Sequence, residues 1–285
     1  MTLAIEQQEE LFLFLADKLK KKEFDLPPLP QVASQVLTLT SDPDADSTKL
    51  TRLIQQDPIL TAKIFQTSNS AACGTKRRIT SLQQAIAWLG LTTIAGTAFT
   101  LSVQSGVFNV RGYEQEVKEL WVHAIASGFY AKAIADLIGK NADIAFLCGL
   151  LHAIGKPFII HTVNQYRQPT DSPIPWTLMM ELMKESYVEV GRQLAEAWEF
   201  PDEVKEALTR HDDHTIHLAT SPEKGAVITS LARQFASHLP DLETLTPDTL
   251  YALSSVKILK LTEDNIDTLL KMQPAIQHQV QSMLT

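Results

Sequence analysis

Apolar residues recur along this chain at intervals of three and four, the spacing that lines one face of an α-helix. No alternating run longer than a few residues interrupts them. Over residues 4–22, Leu11, Phe12, Leu15 and Leu19 share one side, while Lys18, Lys20, Lys21 and Lys22 collect at the end, where cations suit the helix dipole. These lysines cluster at one end rather than along a face, so the pattern predicts a helix docked on the domain, not one lying on a membrane. Leu26-Pro-Pro-Leu-Pro30 is an extended lead-in, because proline disfavours helix in the residue before it. Helical spacing returns over 31–40 through Val32, Val36 and Leu39, and Ser41-Asp-Pro-Asp44 is a turn. A short helix from Ser47 carries Leu50, Leu53 and Ile54. Asp57-Pro58 then predicts an N-cap and first helical residue for a helix burying Leu60, Ile64 and Phe65, which Asn69–Gly74 breaks.

Ser81-Leu-Gln-Gln84 has the form of a capping box ahead of a helix bearing Leu82, Ala85, Ile86 and Leu89, closed by Gly90. Residues 92–104 are apolar and Thr-rich. Periodicity leaves helix or strand open there, and context favours helix. A helix over 114–138 carries His123 and the small residues Ala124, Ala126, Ser127, Gly128, Ala131 and Ala135, which allow close packing. A buried helix over 145–156 follows, with Leu147, Leu150, Leu151 and Ile154 at helical spacing and a stop expected at Gly155-Lys-Pro157. Pro169, Pro173 and Pro175 mark a loop. Helical patterns at 176–198, from Phe200-Pro201 to near His211, and at 222–238, 247–260 and 263–284 complete an all-α prediction.

At 285 residues the chain can bury a substantial core, as one large domain or two smaller ones. Its 45% hydrophobic and 20% charged residues match a soluble globular protein, and no apolar run approaches the roughly 20 residues that span a bilayer. Leu11–Ala16 is preceded by Glu9 and Glu10 and followed by no cleavage-like site, unlike a signal peptide. Cys73 and Cys148 lie far apart, so a reducing, cytoplasmic compartment is expected. A net charge of −8 argues against broad binding to nucleic acid or anionic membranes. Lys76-Arg77-Arg78 is the one basic feature that stands out locally.

Leu26-Pro-Pro-Leu-Pro30, Gln56-Asp-Pro-Ile-Leu-Thr-Ala62, Ser68-Asn-Ser-Ala71 and Ile79-Thr-Ser-Leu-Gln-Gln-Ala-Ile-Ala-Trp-Leu-Gly90 occur in order. They precede Gly149-Leu-Leu-His-Ala-Ile-Gly-Lys156. Together they resemble HDOD domains, the HD-related output domains of bacterial signalling proteins, over roughly residues 26–235. The resemblance implies a multi-helix HDOD-type domain at 26–240, with an N-terminal helical half (26–106) packed on an HD-like half (114–240). An amphipathic helix at 1–25 and a helical extension at 241–285 would flank it.

In the HD superfamily that this resemblance points to, metal is held by a histidine on one helix, a His-Asp pair on the next and an aspartate on a later helix. His123, in Trp-Val-His-Ala-Ile-Ala, matches the first, and His152 matches the pair's histidine. Ala153 stands in place of the pair's aspartate, and Arg233 in place of the later one. Two imidazoles without a carboxylate make a poor metal site, and an inward arginine would oppose a divalent cation. Metal-assisted phosphohydrolysis would lose its mechanism with the metal. No metal, other cofactor or catalytic residue is therefore expected, and His123 and His152 should be packed, hydrogen-bonded core histidines facing one another. Tyr187 stands where a histidine for a second metal would fall. His211, Asp212, Asp213, His214 and His217 form a local cluster whose plainer reading is an exposed polar helix end, with metal binding the alternative. No Gly-x-Ser-x-Gly elbow or phosphate-cradling glycine loop is present.

The resulting expectation is a non-catalytic signalling domain acting through a protein partner or small ligand, with no nucleic-acid partner. With no receiver domain in the chain, its input would come through that partner. A residual metal-dependent phosphohydrolase, acting on a nucleotide or cyclic dinucleotide, is the alternative. The candidate partner-binding surface lies at the junction of the two halves, around Asn69, Ser70, Lys76, Arg77 and Arg78.

Overall fold

The computed structural model describes residues 5–21, 51, 54–55, 57–69, 79–104, 110–166, 174–211, 224–239 and 246–284. Among the described residues every regular element is a helix, and no strand occurs. Helix α1 (Ile5–Lys21) is followed by α2 (Pro58–Ser68), α3 (Leu82–Leu89) and α4 (Leu91–Gln104). Then come α5 (Glu114–Leu137), α6 (Ala142–Leu151), α7 (Gly155–Tyr166), α8 (Trp176–Ala197), α9 (Asp202–Arg210) and α10 (Lys224–Ser237). Four short helices end the chain: α11 (Pro247–Ala252), α12 (Ser254–Leu259), α13 (Glu263–Lys271) and α14 (Gln273–Leu284).

Local signals start and stop the first helices. The Asp57 carboxylate accepts from the N–H groups of Ile59 and Leu60 at 2.9 and 3.0 Å, with Pro58 at the first helical position, where its missing N–H is harmless. Ser81 caps Gln84 N–H at 3.2 Å. The return bond of the expected capping box is displaced, since Gln84 Oε1 accepts from Thr80 rather than Ser81. Gly90, with φ 78°, turns the chain directly into α4. The Thr-rich 92–104 segment is helical, and Thr97 donates back to the Thr93 carbonyl at 2.7 Å. Ile54, Leu60, Ile64, Ile79, Leu82 and Ile86 form an apolar cluster distinct from the main core.

The main core is built on α5, which packs along α6 and α10. Asn141 caps α6 by accepting from Asp143 and Ile144 N–H at 3.0 and 3.1 Å. Gly149 on α6 meets Ser127 and Gly128 on α5 so closely that a Cβ there would lie 2.8 Å from Gly128 Cα and nearer still to the Ser127 carbonyl. Phe146 fills the space beside this crossing, edge-on to Phe129 at 5.1 Å between centroids. Its ring also lies where a Cβ on Gly96 of α4 would stand, which brings the N-terminal half against the main core. Helix α14 packs on both α2 and α5 across the same junction. Between the halves lies a cavity of about 310 Å³, lined by Trp88, Phe129, Lys132 and Met272 among others. At the other side α1 buries Leu11 and Leu15 and lies on α8, where the Leu19 carbonyl accepts from Gln193 at 3.1 Å.

Three expectations are corrected. The buried helix ends at Leu151 rather than 156, a turn covers 152–154, and Gly155 opens α7 instead of stopping its predecessor. Pro157 falls in the first turn of α7, where no intrahelical N–H bond is lost. A Cβ on Gly155 would collide with the Tyr187 carbonyl, so the glycine marks a close approach to α8. Secondly, the near-continuous stretch Ala142–Tyr166 is long and apolar enough to cross a membrane, though 83% of its most apolar window is buried in the core. Thirdly, the patterns at 247–260 and 263–284 each break, at Leu253 (extended, ψ 133°) and at Met272, giving two pairs of short helices.

Gly149→Ala forces the α5–α6 crossing apart and is expected to destabilise the protein by roughly 1–3 kcal/mol or more. Urea unfolding should show a lower midpoint at unchanged m-value, and wild-type stability would contradict the close crossing.

Candidate functional site

Three imidazoles meet where α5, the end of α6 and the end of α9 converge. His123 lies one turn before the Gly149 crossing, and its carbonyl accepts from the Ser127 hydroxyl at 2.7 Å. Its Nε2 is 3.1 Å from Ser237 Oγ on α10. His152 caps α6, and the tight crossing at Gly149 sets it against α5. The His123 and His152 rings stand 5.4 Å apart, tilted by 58°. His211 completes the row, edge-on to His152 at 5.2 Å.

Hydrogen bonds assign the tautomers. His152 Nδ1 lies 2.6 Å from the Gly149 carbonyl, which only accepts, so Nδ1 carries the proton and Nε2 presents a lone pair. That Nε2 is buried with no hydrogen-bond partner, in a residue only 2% exposed. His211 Nδ1 likewise donates to the Ala207 carbonyl at 2.8 Å, leaving its Nε2 to accept from the Tyr187 hydroxyl at 3.2 Å.

The surroundings keep all three rings neutral. Burial, followed by the positive charges of Lys156 and Arg233, lowers the His123 pKa to about 4. Burial and then Arg233, with a smaller contribution from Lys156, lower that of His211 to about 3. His152 is pushed well below the ordinary histidine range by burial, by the neighbouring His211 and His123, and by Arg233. Lys156, in the first turn of α7, holds its ammonium 4.8 Å from the centre of the Tyr187 ring. Arg233 is half-buried on α10, and Ala153 is buried.

His211 corrects an expectation. It is not on an exposed helix end but 1% exposed, packed against His152 and Tyr187. Asp212, Asp213, His214 and His217 lie outside the described residues, as do Ser70, Lys76, Arg77 and Arg78. Asn69 is described, and its amide clips the end of α2 to the segment before α3. It donates to the Phe65 and Ile79 carbonyls, both at 3.0 Å, and accepts from Ile79 N–H at 2.7 Å. The sequence reading missed Lys156 and Ser237. Lys156 had a readable signal, four residues beyond His152 inside the same motif, whereas Ser237 had none.

The donor set does not fit a catalytic divalent cation. Among the described residues it offers neutral imidazoles and no carboxylate, and two of the three Nε2 atoms are engaged by hydroxyl groups. Among the described residues no group of three or more His, Cys, Asp or Glu side chains is disposed to hold a metal ion. A fixed cation at 4 Å would oppose each charge of an incoming metal by about 4 kcal/mol at an effective dielectric of ~20.

A pH dependence follows. A buried histidine with a depressed pKa stabilises the fold above its unfolded pKa near 6.5, and that contribution is lost as pH falls toward the folded value. The loss should run from about pH 6.5 down to about 4 for His123 and about 3 for His211. It is on the order of 3 kcal/mol for His123. Urea midpoints measured across this range should fall steeply, and His152→Gln should flatten the slope. An unchanged slope would contradict neutral burial.

Residues 26–214 match the family model described as HDOD domain. Solved structures with this architecture include a candidate metal-dependent phosphohydrolase from Shewanella amazonensis SB2B, 20% identical, with 97% of this chain and 100% of that chain covered and a TM-score of 0.72. An HDOD domain protein with unknown function from Geobacter sulfurreducens is 21% identical, with 96% and 98% covered and a TM-score of 0.69. A candidate signal transduction protein from Marinobacter aquaeolei VT8 is 17% identical, with 98% and 66% covered and a TM-score of 0.69. At these identities the likeness is one of fold alone. An uncharacterised protein of Treponema pallidum (strain Nichols) is 26% identical over 227 residues, which are 76% of this chain and 42% of that protein. This chain thus spans under half the length of that curated relative. With most of its length matched in order and the fold shared, the chain belongs to the HDOD domain family.

Proposed function

We propose that this HDOD protein is a non-catalytic regulatory domain of bacterial signal transduction, working in the cytoplasm by binding a partner protein or a small ligand. One observation carries the reading. At both positions where the HD pattern calls for a carboxylate, the chain has Ala153 and Arg233, and the histidines between them are neutral and boxed in by two cations. Water activation and neutralisation of phosphate charge by a metal both need the ligands that are missing. What remains is a rigid helical body with a shaped junction between its halves, which suits recognition.

Protein purified without chelator should carry no near-stoichiometric zinc, iron or manganese by elemental analysis. It should hydrolyse nucleotides, cyclic dinucleotides and generic phosphodiesters only at background rates. Turnover that His123→Ala abolishes would sink this reading.

A partner captured from the source cells should bind through the basic triplet of this acidic chain. Arg77→Glu with Arg78→Glu should weaken that binding, most at low salt, while thermal stability stays within roughly 0.5 kcal/mol. Normal binding by the double variant would place the recognition surface elsewhere.

A further inference from the structure

We infer that the cavity between the two halves binds a small aromatic amine in its cationic form. The inference rests on the regulatory reading above and deepens it by naming the class of the small ligand. It places that ligand at a cavity to which no described histidine contributes.

Local structure shapes the cavity. On α5, Phe129, Lys132, Ala133 and Asp136 stand at i, i+3, i+4 and i+7, so one helical face forms a wall. The turn at Gly90, with its positive φ, lets Trp88 near the end of α3 and Thr93 in the first turn of α4 line the same space. Helix α14 closes it with Ile276 and Gln279. The volume of about 310 Å³ is at the lower end of the roughly 300–1,000 Å³ of small-molecule pockets, which suits one ring with a short side chain.

Burial separates the inside of the cavity from its mouth. Phe129 and Ile276 are 6% and 1% exposed, whereas Trp88 is 53% exposed and Asp136 is also exposed. An indole left half in solvent at an opening offers a flat apolar face, and tryptophan is the aromatic side chain that attracts cations best.

Charge selects the sign of the ligand. Lys132 already has a carboxylate, with Asp143 Oδ1 at 3.9 Å from its ammonium. Asp136 makes no ion pair among the described residues. The lining therefore carries one unbalanced negative charge at its mouth, on a chain of net charge −8. A ligand ammonium pairs with Asp136 and lies against Trp88, and an alkyl ammonium stays protonated at neutral pH. A carboxylate ligand would compete with Asp143 for Lys132 and meet Asp136 as a like charge.

The opposite end of the ligand is set by Thr93. This residue is 5% exposed and lines the cavity, yet its hydroxyl has no hydrogen-bond partner among the described residues. Buried hydroxyl groups are normally partnered. A ring hydroxyl placed away from the ammonium supplies that partner, so the probe that fits both ends is a hydroxyphenyl ethylamine.

The test titrates the full chain with tyramine, phenethylamine and para-hydroxyphenylacetate. Calorimetry is paired with the indole N–H resonance of Trp88, assigned by its loss in Trp88→Phe. Tyramine should bind with a dissociation constant of about 1 mM or tighter and shift that resonance. The carboxylate analogue, with the same hydroxylated ring, should bind at least about tenfold more weakly. Phenethylamine, which lacks the hydroxyl, should bind about three- to tenfold more weakly than tyramine, and Thr93→Val should remove that difference. Asp136→Asn should weaken tyramine binding about tenfold, whereas Asp202→Asn, outside the lining, should not. The three probes on the wild-type chain decide the matter even where a variant fails to fold. No heat and no Trp88 shift at about 10 mM tyramine, or equal binding of the carboxylate analogue, would overturn the inference. So would tyramine binding that Asp136→Asn and Thr93→Val both leave unchanged. Those results leave the non-catalytic reading standing while the metal and hydrolysis assays above stay blank. Turnover abolished by His123→Ala sinks that reading whatever tyramine does.

Discussion

Where α5 and α6 cross, the two backbones touch, and the rest of the site depends on that contact. Gly149 has no side chain to hold the helices apart, and Ser127 and Gly128 present carbonyl and Cα atoms directly to it. Helices this close place His152 one turn beyond the crossing and His123 one turn before it, so their rings face one another. Phe146 extends the same contact sideways to Gly96, which fixes the N-terminal half against the main core. A second close approach, Gly155 against the Tyr187 carbonyl, sets where α7 begins and therefore where Lys156 points its ammonium.

Within that frame, burial and charge act in the same direction. Desolvation alone lowers a histidine pKa, and the nearby guanidinium and ammonium lower it further. The histidine row is thus a neutral hydrogen-bonding array. Its ordering from Ser237 through His123, His152 and His211 to Tyr187 uses three helices and two turns. Here the imidazoles are kept uncharged, so Arg233 and Lys156 meet no like charge from them.

Most helices were legible because their apolar spacing and end signals agree. Asp57-Pro58, Ser81 and Gly90 act as their chemistry dictates. Failures came where a glycine has two physical meanings. Gly155 looked like a helix stop, yet it serves a backbone contact with a residue more than thirty positions away, which no local window reveals. That Ala153 and Arg233 stand where the HD resemblance calls for carboxylates was readable in the letters, since neither a methyl group nor a guanidinium ligates a cation. The burial of His211 was not, because its polar neighbours Asp212, Asp213 and His214 made the segment look solvated. Only packing of α9 against α6 and α10 turns that ring inward. Asn69 was read as part of a candidate partner surface, and its amide clips Ile79 to the end of α2.

The central claim is that the histidine cluster is a neutral array closed to divalent cations. Side-chain ¹⁵N spectra of the full chain, recorded near neutral pH with and without Mn²⁺, address it at the atoms concerned. The account predicts Nδ1–H tautomers for His152 and His211, and ring signals of His123, His152 and His211 that Mn²⁺ leaves sharp. Selective broadening of those three rings by Mn²⁺ would mean that they still hold a metal, and would contradict it.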